Sequence, residues 1–362
     1  MGVPKLARLI APDALETLLG AATAVGPVTA AWVVDRAGTA VAQVDRPPGM
    51  EPADPGATAT HHLVVAGVEV GTVSIRAADE GTARSMALLV GRAIELAATE
   101  AHGAALQHQL VERRAFDEEL AIGRRIQLSL MPRRFPEIDG WEIASAYEPA
   151  REVGGDFYDV FRLRERGASI GLVVADVTGK GIPAAIMMAD TRGLIHAAAD
   201  HSDDPAETLQ RVNRILVDER ASGLFVTVAH AVLDPATGRL VLARAGHDPI
   251  HILRADGRLE ILLPPGRLIG MVADVAATSV EVDLGPGDSF VAHTDGITEA
   301  RAEDGSFFGE ERFRALLGGL AGVPARAIVD AVVAEVIDFR GRAEPSDDLT
   351  LLVARRQPAV EG

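Results

Sequence analysis

From residue 140 to 356 the chain is a succession of short β-rich runs, and several of them begin or end on an aspartate beside glycine. The runs include ASIGLVVADV, LFVTVAHAVLD, RLVLARAG, IHILRA, SVEVDL, DSFVAHT and LTLLVARR, separated by turn signals such as DPATG and RADG. Consecutive strands joined by short turns pair antiparallel. Helical stretches at about 182–200, 205–221 and 309–338 stand in blocks of their own rather than alternating with strands. The pattern predicts an α+β domain of two antiparallel sheets packed face to face with helices outside, and excludes a doubly wound one.

The aspartates fall in five ordered segments: GGDFYD (154–159), ADVTGKG (175–181), AGHDP (245–249), HTDGITE (293–299) and SDDLT (346–350). Asp156, Asp176, Asp295 and one of Asp347 and Asp348 each stand where a β-rich run starts or stops. The run Leu172 to Ala175 is continuously apolar, as in a strand covered on both faces, and Asp176 follows it directly. A bare carboxylate there would be costly to ionise, and a divalent cation shared among several acids removes that cost. Hard ions such as Mg²⁺ and Mn²⁺ prefer such oxygen ligands. Taken singly, Asp-Gly is a turn signal and Asp-Asp a common cap. Only the set, in its order, speaks for a metal site.

Composition narrows the remaining classes. Apolar residues make up 48% of the 362, enough for a large core, and the length suits two domains. Fifty-two acids against 35 bases leave a net charge of −17, which opposes binding to nucleic acid or to an anionic membrane surface. Cysteine is absent, which removes thiol nucleophiles, disulfides and zinc–thiolate sites. The opening MGVPKLARLIAPDALETLLG has no apolar run long enough for a signal peptide, and no stretch reaches the ~18 residues of a membrane span, so the expected location is cytoplasmic.

The N-terminal third reads differently. A helical opening at about 5–24 gives way to TAAWVVDRAGTAVAQVD, a Pro/Gly-rich loop, RPPGMEPADPGATAT, and HHLVVAGVEVGTVSIRA. This small α/β layout, residues 1–81, resembles a GAF- or PAS-like sensor domain, and a plain dimerisation cap fits it equally. Residues 82–131 lack proline, and Leu106/Leu110, Phe116/Leu120 and Ile122/Ile126/Leu130 sit four apart, predicting one long helix or two. Gly103, Gly123 and the drift of the stripe argue against a strict heptad coiled coil. Met131-Pro132 ends the helix.

GGDFYD, ADVTGKGIPAA, AGHDP, TDGITEA and DDLT, in that order, resemble the SpoIIE/RsbU-type branch of the metal-dependent (PPM, type 2C) protein serine/threonine phosphatases. The resemblance covers about 120–356 and implies an αββα sandwich over 132–356, with two Mn²⁺ or Mg²⁺ ions in the cleft between the sheet edges. By motif, Asp176 would bridge both metals, with the backbone carbonyl of Val177 as a further ligand. Asp156 would bind the second metal; Asp295 and Asp347, in preference to Asp348, would bind the first. Water activated by the pair would attack phosphorus in line, with no covalent phosphoenzyme. Asp159 is expected to orient the loop, and His247 to tie one down rather than act as a general acid. Thr178 stands where many eukaryotic relatives carry a histidine. Lys180, one of only two lysines, and Arg151 are candidates for contacting phosphate.

The implied activity is hydrolysis of phosphoserine or phosphothreonine on a phosphorylated STAS-domain protein, an anti-sigma-factor antagonist, by a homodimer under control of the N-terminal region. A binding scaffold with little activity and a small-molecule phosphohydrolase are the competing readings. The helix before the first motif, AIGRRIQLSLMP, is expected to act as a switch on the helix after ADVTGKG.

Overall fold

The computed structural model describes residues 5–24, 28–45, 56–163, 168–219 and 223–358, and these form two compact units, divided between Asp117 and Glu118. Most of the Pro/Gly-rich loop at 46–60 lies outside the described residues.

The first unit is a four-stranded antiparallel sheet with helices. Its elements are α1 (Leu6–Leu9), α2 (Pro12–Ala24), β1 (Val28–Asp35), β2 (Ala40–Asp45), β3 (Ala57–Val65), β4 (Val68–Ala77) and the beginning of α3 (Glu80–Leu130). The strand order is β2-β1-β4-β3. Leu15 and Leu19 of α2, Val33 and Ile75 of the sheet, and Ala87 and Ile94 of α3 share one core. The spacing of the α3 residues is that of one helical face. The predicted opening helix is two, and the 82–131 segment is a single unbroken helix of 51 residues.

In the second unit, β5 (Trp141–Glu148), β6 (Phe157–Arg162) and β7 (Ile170–Val177) precede α4 (Ile182–Ala199) and α5 (Pro205–Glu219). Then come β8 (Val226–Leu233), β9 (Arg239–Ala245), β10 (Ile250–Leu253), β11 (Leu259–Leu262), β12 (Val280–Asp283) and β13 (Ser289–His293). Short α6 (Asp295–Thr298), α7 (Glu310–Gly318), α8 (Ala325–Arg340) and β14 (Leu349–Arg356) complete it. Two five-stranded sheets result, ordered β11-β10-β13-β14-β5 and β12-β9-β8-β7-β6, and every strand pairing is antiparallel.

Three cores make the layers. Leu172, Val174, Ala229, Phe290 and Leu352 fill the space between the sheets. Val173 and Ala175 turn the other way, into a core with Ala184, Met187 and Met188 of α4. Leu351 and Val353 of β14 likewise face Phe313 of α7 and Val332 of α8. Each central strand is therefore apolar on both faces, the cause of its near-continuous hydrophobic sequence. The helix expected over 309–338 is two: α7 stops at Gly318-Gly319, and α8 starts after Pro324, whose fixed φ suits the position before a first turn. The α+β sandwich is otherwise as expected from the sequence. No helix of the described residues is long and apolar enough to cross a membrane.

Candidate active site

In an antiparallel pair the start of one strand lies beside the end of the next. β6 begins opposite the end of β7, with Phe157 across from Ala175, and β14 begins opposite the end of β13, with Leu351 across from His293. Asp156 precedes β6, Asp176 is the penultimate residue of β7, Asp295 follows β13, and Asp347-Asp348 precede β14. Asp176 continues the alternating row of Leu172 and Val174, so it lies on the inter-sheet face at the rim.

The acids meet. Asp156 and Asp176 lie close enough together for each carboxyl to act on the other. Burial, followed by the charges of Asp176 and Asp348, raises Asp156 well above the ordinary carboxylate range. Burial and the charges of Asp347, Asp348 and Asp248 raise Asp176 to about 6. Burial and the charges of Asp176, Asp248 and Asp347 raise Asp295 to about 7. Such a cluster is short of positive charge, and an all-oxygen donor set of this kind suits a hard divalent cation. The residues present therefore fit the metal pair that the motifs imply.

Around these acids a second group of contacts ties the two sheets together. Thr294 and Thr350 each donate a hydroxyl hydrogen bond to Asp156 Oδ2, at 2.6 and 2.7 Å, leaving its other oxygen for the rim. Asp348 is buried and accepts from the backbone N–H groups of Ala150 (2.8 Å) and Gly155 (2.7 Å). Its neighbour Asp347 is half-exposed, accepts the Asp348 N–H, and pairs with Lys180 Nζ at 3.0 Å. The two aspartates of SDDLT thus differ in work: one binds the backbone of the first motif, and the other faces the rim.

Glycine is required here for closeness. A Cβ on Gly296 would stand 1.8 Å from the Asp348 carbonyl oxygen, and one on Gly155 would stand 2.6 Å from that of Val177. These contacts bring the Asp295 turn onto the Asp348 strand and the Asp156 loop onto the Val177 carbonyl.

The remaining candidates separate. Asp159 is fully buried and points away from the acids; its Oδ2 lies 2.6 Å from both Arg192 Nε and His196 Nε2 of α4. His247 is buried, its Nδ1 is 2.7 Å from Thr227 Oγ1, and burial lowers it to about 3, so it stays neutral and ties the loop. Thr178 Oγ1 donates to the Phe225 carbonyl and accepts the Phe225 N–H, a turn contact. Lys180 also donates to the Ser346 carbonyl, and Arg151 is exposed on the loop before Gly154. Asp248 of AGHDP, raised to about 6 chiefly by burial, lies near enough to Asp176 and Asp295 to act on both, although it was not among the acids expected to hold metal. Gln127, near the end of α3, was missed altogether: its Nε2 donates to the Gly154 carbonyl at 2.6 Å, and its Oε1 accepts the Gly154 N–H at 3.1 Å. A lone glutamine in a helix carries no sequence signal for such a contact.

The family model described as stage II sporulation protein E (SpoIIE) matches residues 166–357, just over half of the chain. The chain belongs to the SpoIIE family. The SpoIIE-family unit is also similar to solved PP2C-type domains. The SiaA PP2C domain of Pseudomonas aeruginosa superposes with a TM-score of 0.61 at 26% identity, covering 67% of this chain and 98% of that domain. Two curated proteins align over comparable lengths. Phosphoserine phosphatase RsbU of Bacillus subtilis is 26% identical over 254 residues, 69% of this chain and 74% of RsbU. Protein IcfG of Synechocystis is 29% identical over 266 residues, 66% of this chain, but the match spans only 41% of IcfG.

Proposed function

We propose that the C-terminal unit hydrolyses phosphoserine or phosphothreonine on a partner protein, using two Mn²⁺ or Mg²⁺ ions held at the rim of the sandwich. The observation that carries this is the meeting of Asp156, Asp176, Asp295 and Asp347 at one rim, with the carboxyls of Asp156, Asp176 and Asp295 raised by burial and by neighbouring acids. Asp176, the Val177 carbonyl, Asp156, Asp295 and Asp347 would hold the ions, with Asp348 holding the loop. When bound, the pair would supply charge neutralisation for the phosphoryl oxygens and acidify water for attack.

The protein's own groups prepare that chemistry. Thr294 and Thr350 fix the Asp156 carboxylate, and Asp348 fixes the backbone of the loop that carries it. Lys180 and Arg151 flank the rim as the cations available to a phosphate, Lys180 on exchange from Asp347. Neither His247, which is held neutral, nor Thr178, which is engaged by Phe225, is offered as a general acid in this reading.

The substrate in this reading is a phosphorylated STAS-domain antagonist of an anti-sigma factor, in a cytoplasmic pathway. The name of RsbU, a phosphoserine phosphatase, supports the phosphoserine part. The N-terminal unit would act as a sensor-like control domain. Leu106, Leu110, Phe116, Ile122 and Ile126 along α3 are 40% or more exposed, an apolar stripe that a second copy of the chain would cover in a homodimer. The test is manganese-dependent release of phosphate from a purified phospho-STAS protein. Loss of that release in Asp176→Asn and Asp295→Asn supports the reading. Binding of the partner without turnover at any metal concentration overturns it in favour of a scaffold, and turnover confined to small aryl phosphates favours a small-molecule hydrolase.

A further inference from the structure

On the outer face of the β10–β13 pair, two histidines and a glutamate come together beneath α7. His251 of β10 pairs with Val291 of β13, so His293, two residues further on, lies diagonally beside it on the same face. Their rings are 5.6 Å apart at 27°, and Phe313 of α7 packs edge-on against both, at 5.4 and 4.4 Å. Glu310, the first residue of α7, brings Oε1 to 3.2 Å from His251 Nε2, and Arg314 Nε reaches the same oxygen at 2.9 Å. One ligand atom from each of His251, His293 and Glu310 lies within 4.8 Å of the others.

The histidine lone pairs are the anomaly. His293 Nδ1 lies 3.0 Å from the Thr294 carbonyl, which can only accept, so that nitrogen carries the hydrogen and Nε2 presents a lone pair. His293 is wholly buried, yet this Nε2 has no partner among the described residues, and neither does His251 Nδ1. A buried acceptor without a donor is a cost that native cores rarely carry. A ring held by a backbone carbonyl through one nitrogen, with the other nitrogen free toward a second imidazole and a carboxylate, is the arrangement of a metal-ligating histidine and its supporting contact.

We propose that His251, His293 and Glu310 form a second metal site, distinct from the acidic rim and independent of the phosphatase reading, that takes a borderline transition ion of the Zn²⁺ type. Two imidazoles and one carboxylate leave a fourth position for water in a tetrahedral shell, and imidazole ligands favour zinc over the hard Mg²⁺ that suits the all-oxygen rim. Small movements suffice, since ligand atoms bound at ~2.0–2.2 Å around one ion come closer together than the present spacing. Glu310 keeps one oxygen for Arg314 and gives the other to the ion. Its side chain is 30% exposed, which leaves a path for entry. The bound ion would pin the start of α7 to the sheet that carries Asp295.

The full chain, stripped with chelator and held in excess Mg²⁺ to fill the rim, is titrated with Zn²⁺ against a competing chelator. One equivalent should bind, and Glu310→Gln and His251→Asn should each weaken it by about 100-fold or more. The Asp176→Asn/Asp295→Asn double variant should bind zinc as the unaltered protein does. Substituted Co²⁺ should give a visible spectrum of low coordination number, absent in Glu310→Gln. Because His251 is buried and its variant can misfold, Glu310→Gln, compared by circular dichroism, carries the decision. No zinc retained in Mg²⁺ means that water or nothing meets the lone pairs and overturns the proposal. Zinc that survives Glu310→Gln but is lost with Asp176 and Asp295 belongs to the rim and overturns it equally.

Discussion

The side chain of Gln127 is joined to the backbone of Gly154 by two hydrogen bonds, one given and one received, two residues before Asp156. The end of α3 thereby holds the loop that positions a rim carboxylate, and Met131 just beyond shares a core with Ala184, Met187 and Met188 of α4. A switch acting through this segment would reach the rim from two sides. Gln127→Ala leaves two buried backbone groups unpaired, at about 1–3 kcal/mol each if water does not replace the amide. It should lower Mn²⁺ affinity by about tenfold, which is ~1.4 kcal/mol. Unchanged metal affinity in a Mn²⁺ titration would remove Gln127 from the control path.

The rim acids should make the metal-free protein less stable as pH rises. Asp176 and Asp295 sit at about 6 and about 7 in the folded chain, against ~3.9 unfolded, so the folded state holds more protons between about pH 4 and 7. Stability present at pH 4 is lost progressively on the way to pH 7, and a bound cation restores it. The rise in melting temperature on adding Mn²⁺ should therefore be larger at pH 8 than at pH 5. Equal rises at both would contradict the raised carboxyls.

Replacing Asp176 or Asp295 by asparagine removes one of the repelling charges together with a metal ligand. The metal-free variants should melt no lower than the unaltered protein, while phosphate release falls by about 10³-fold, the rate equivalent of several kcal/mol of lost metal assistance. A loss of activity accompanied by a large loss of stability would point instead to misfolding.

Asp347 and Asp348 should separate by assay. Asp348→Ala strips acceptors from the N–H groups of Ala150 and Gly155 and should cost about 2–3 kcal/mol of stability. Asp347→Asn, half-exposed, should leave the melting temperature within a degree or two, since surface changes cost about 0.5 kcal/mol or less, yet it should weaken Mn²⁺ binding. The reverse pattern in thermal melts and metal titrations would exchange their roles.

Asp159→Asn should loosen α4. Arg192 and His196 both converge on its Oδ2, and an arginine left partly buried without its carboxylate costs about 2–3 kcal/mol. The expected result is faster hydrogen exchange along α4 with the rim acids intact. Unchanged α4 exchange would make the network incidental.

The sandwich was legible because its strands alternate or run apolar at lengths that match the sheets. Asp156, Asp176 and Asp295 were legible because each stands at a strand end, where antiparallel pairing must gather them. β5 was not: WEIASAYE is half-buried on an edge strand, so its pattern is weak. The division of α7 from α8 turned on Gly318-Gly319 and Pro324, signals outweighed by the apolar period on either side. Contacts such as Gln127–Gly154, Asp159–Arg192 and Thr350–Asp156 join residues 27 to 194 positions apart, and no local spacing encodes them.

β5 lies at the edge of its sheet, and its only strand partner among the described residues is β14, with Trp141 opposite Arg356 and Glu148 opposite Leu349. During synthesis, β5 must therefore wait for some 200 residues to be made before it can pair. The same late strand brings Asp347, Asp348 and Thr350, so no chain that stops short of β14 can assemble the rim. Closure of this long-range pairing should be slow, and the nascent unit would be exposed to mispairing at β5 for most of its translation.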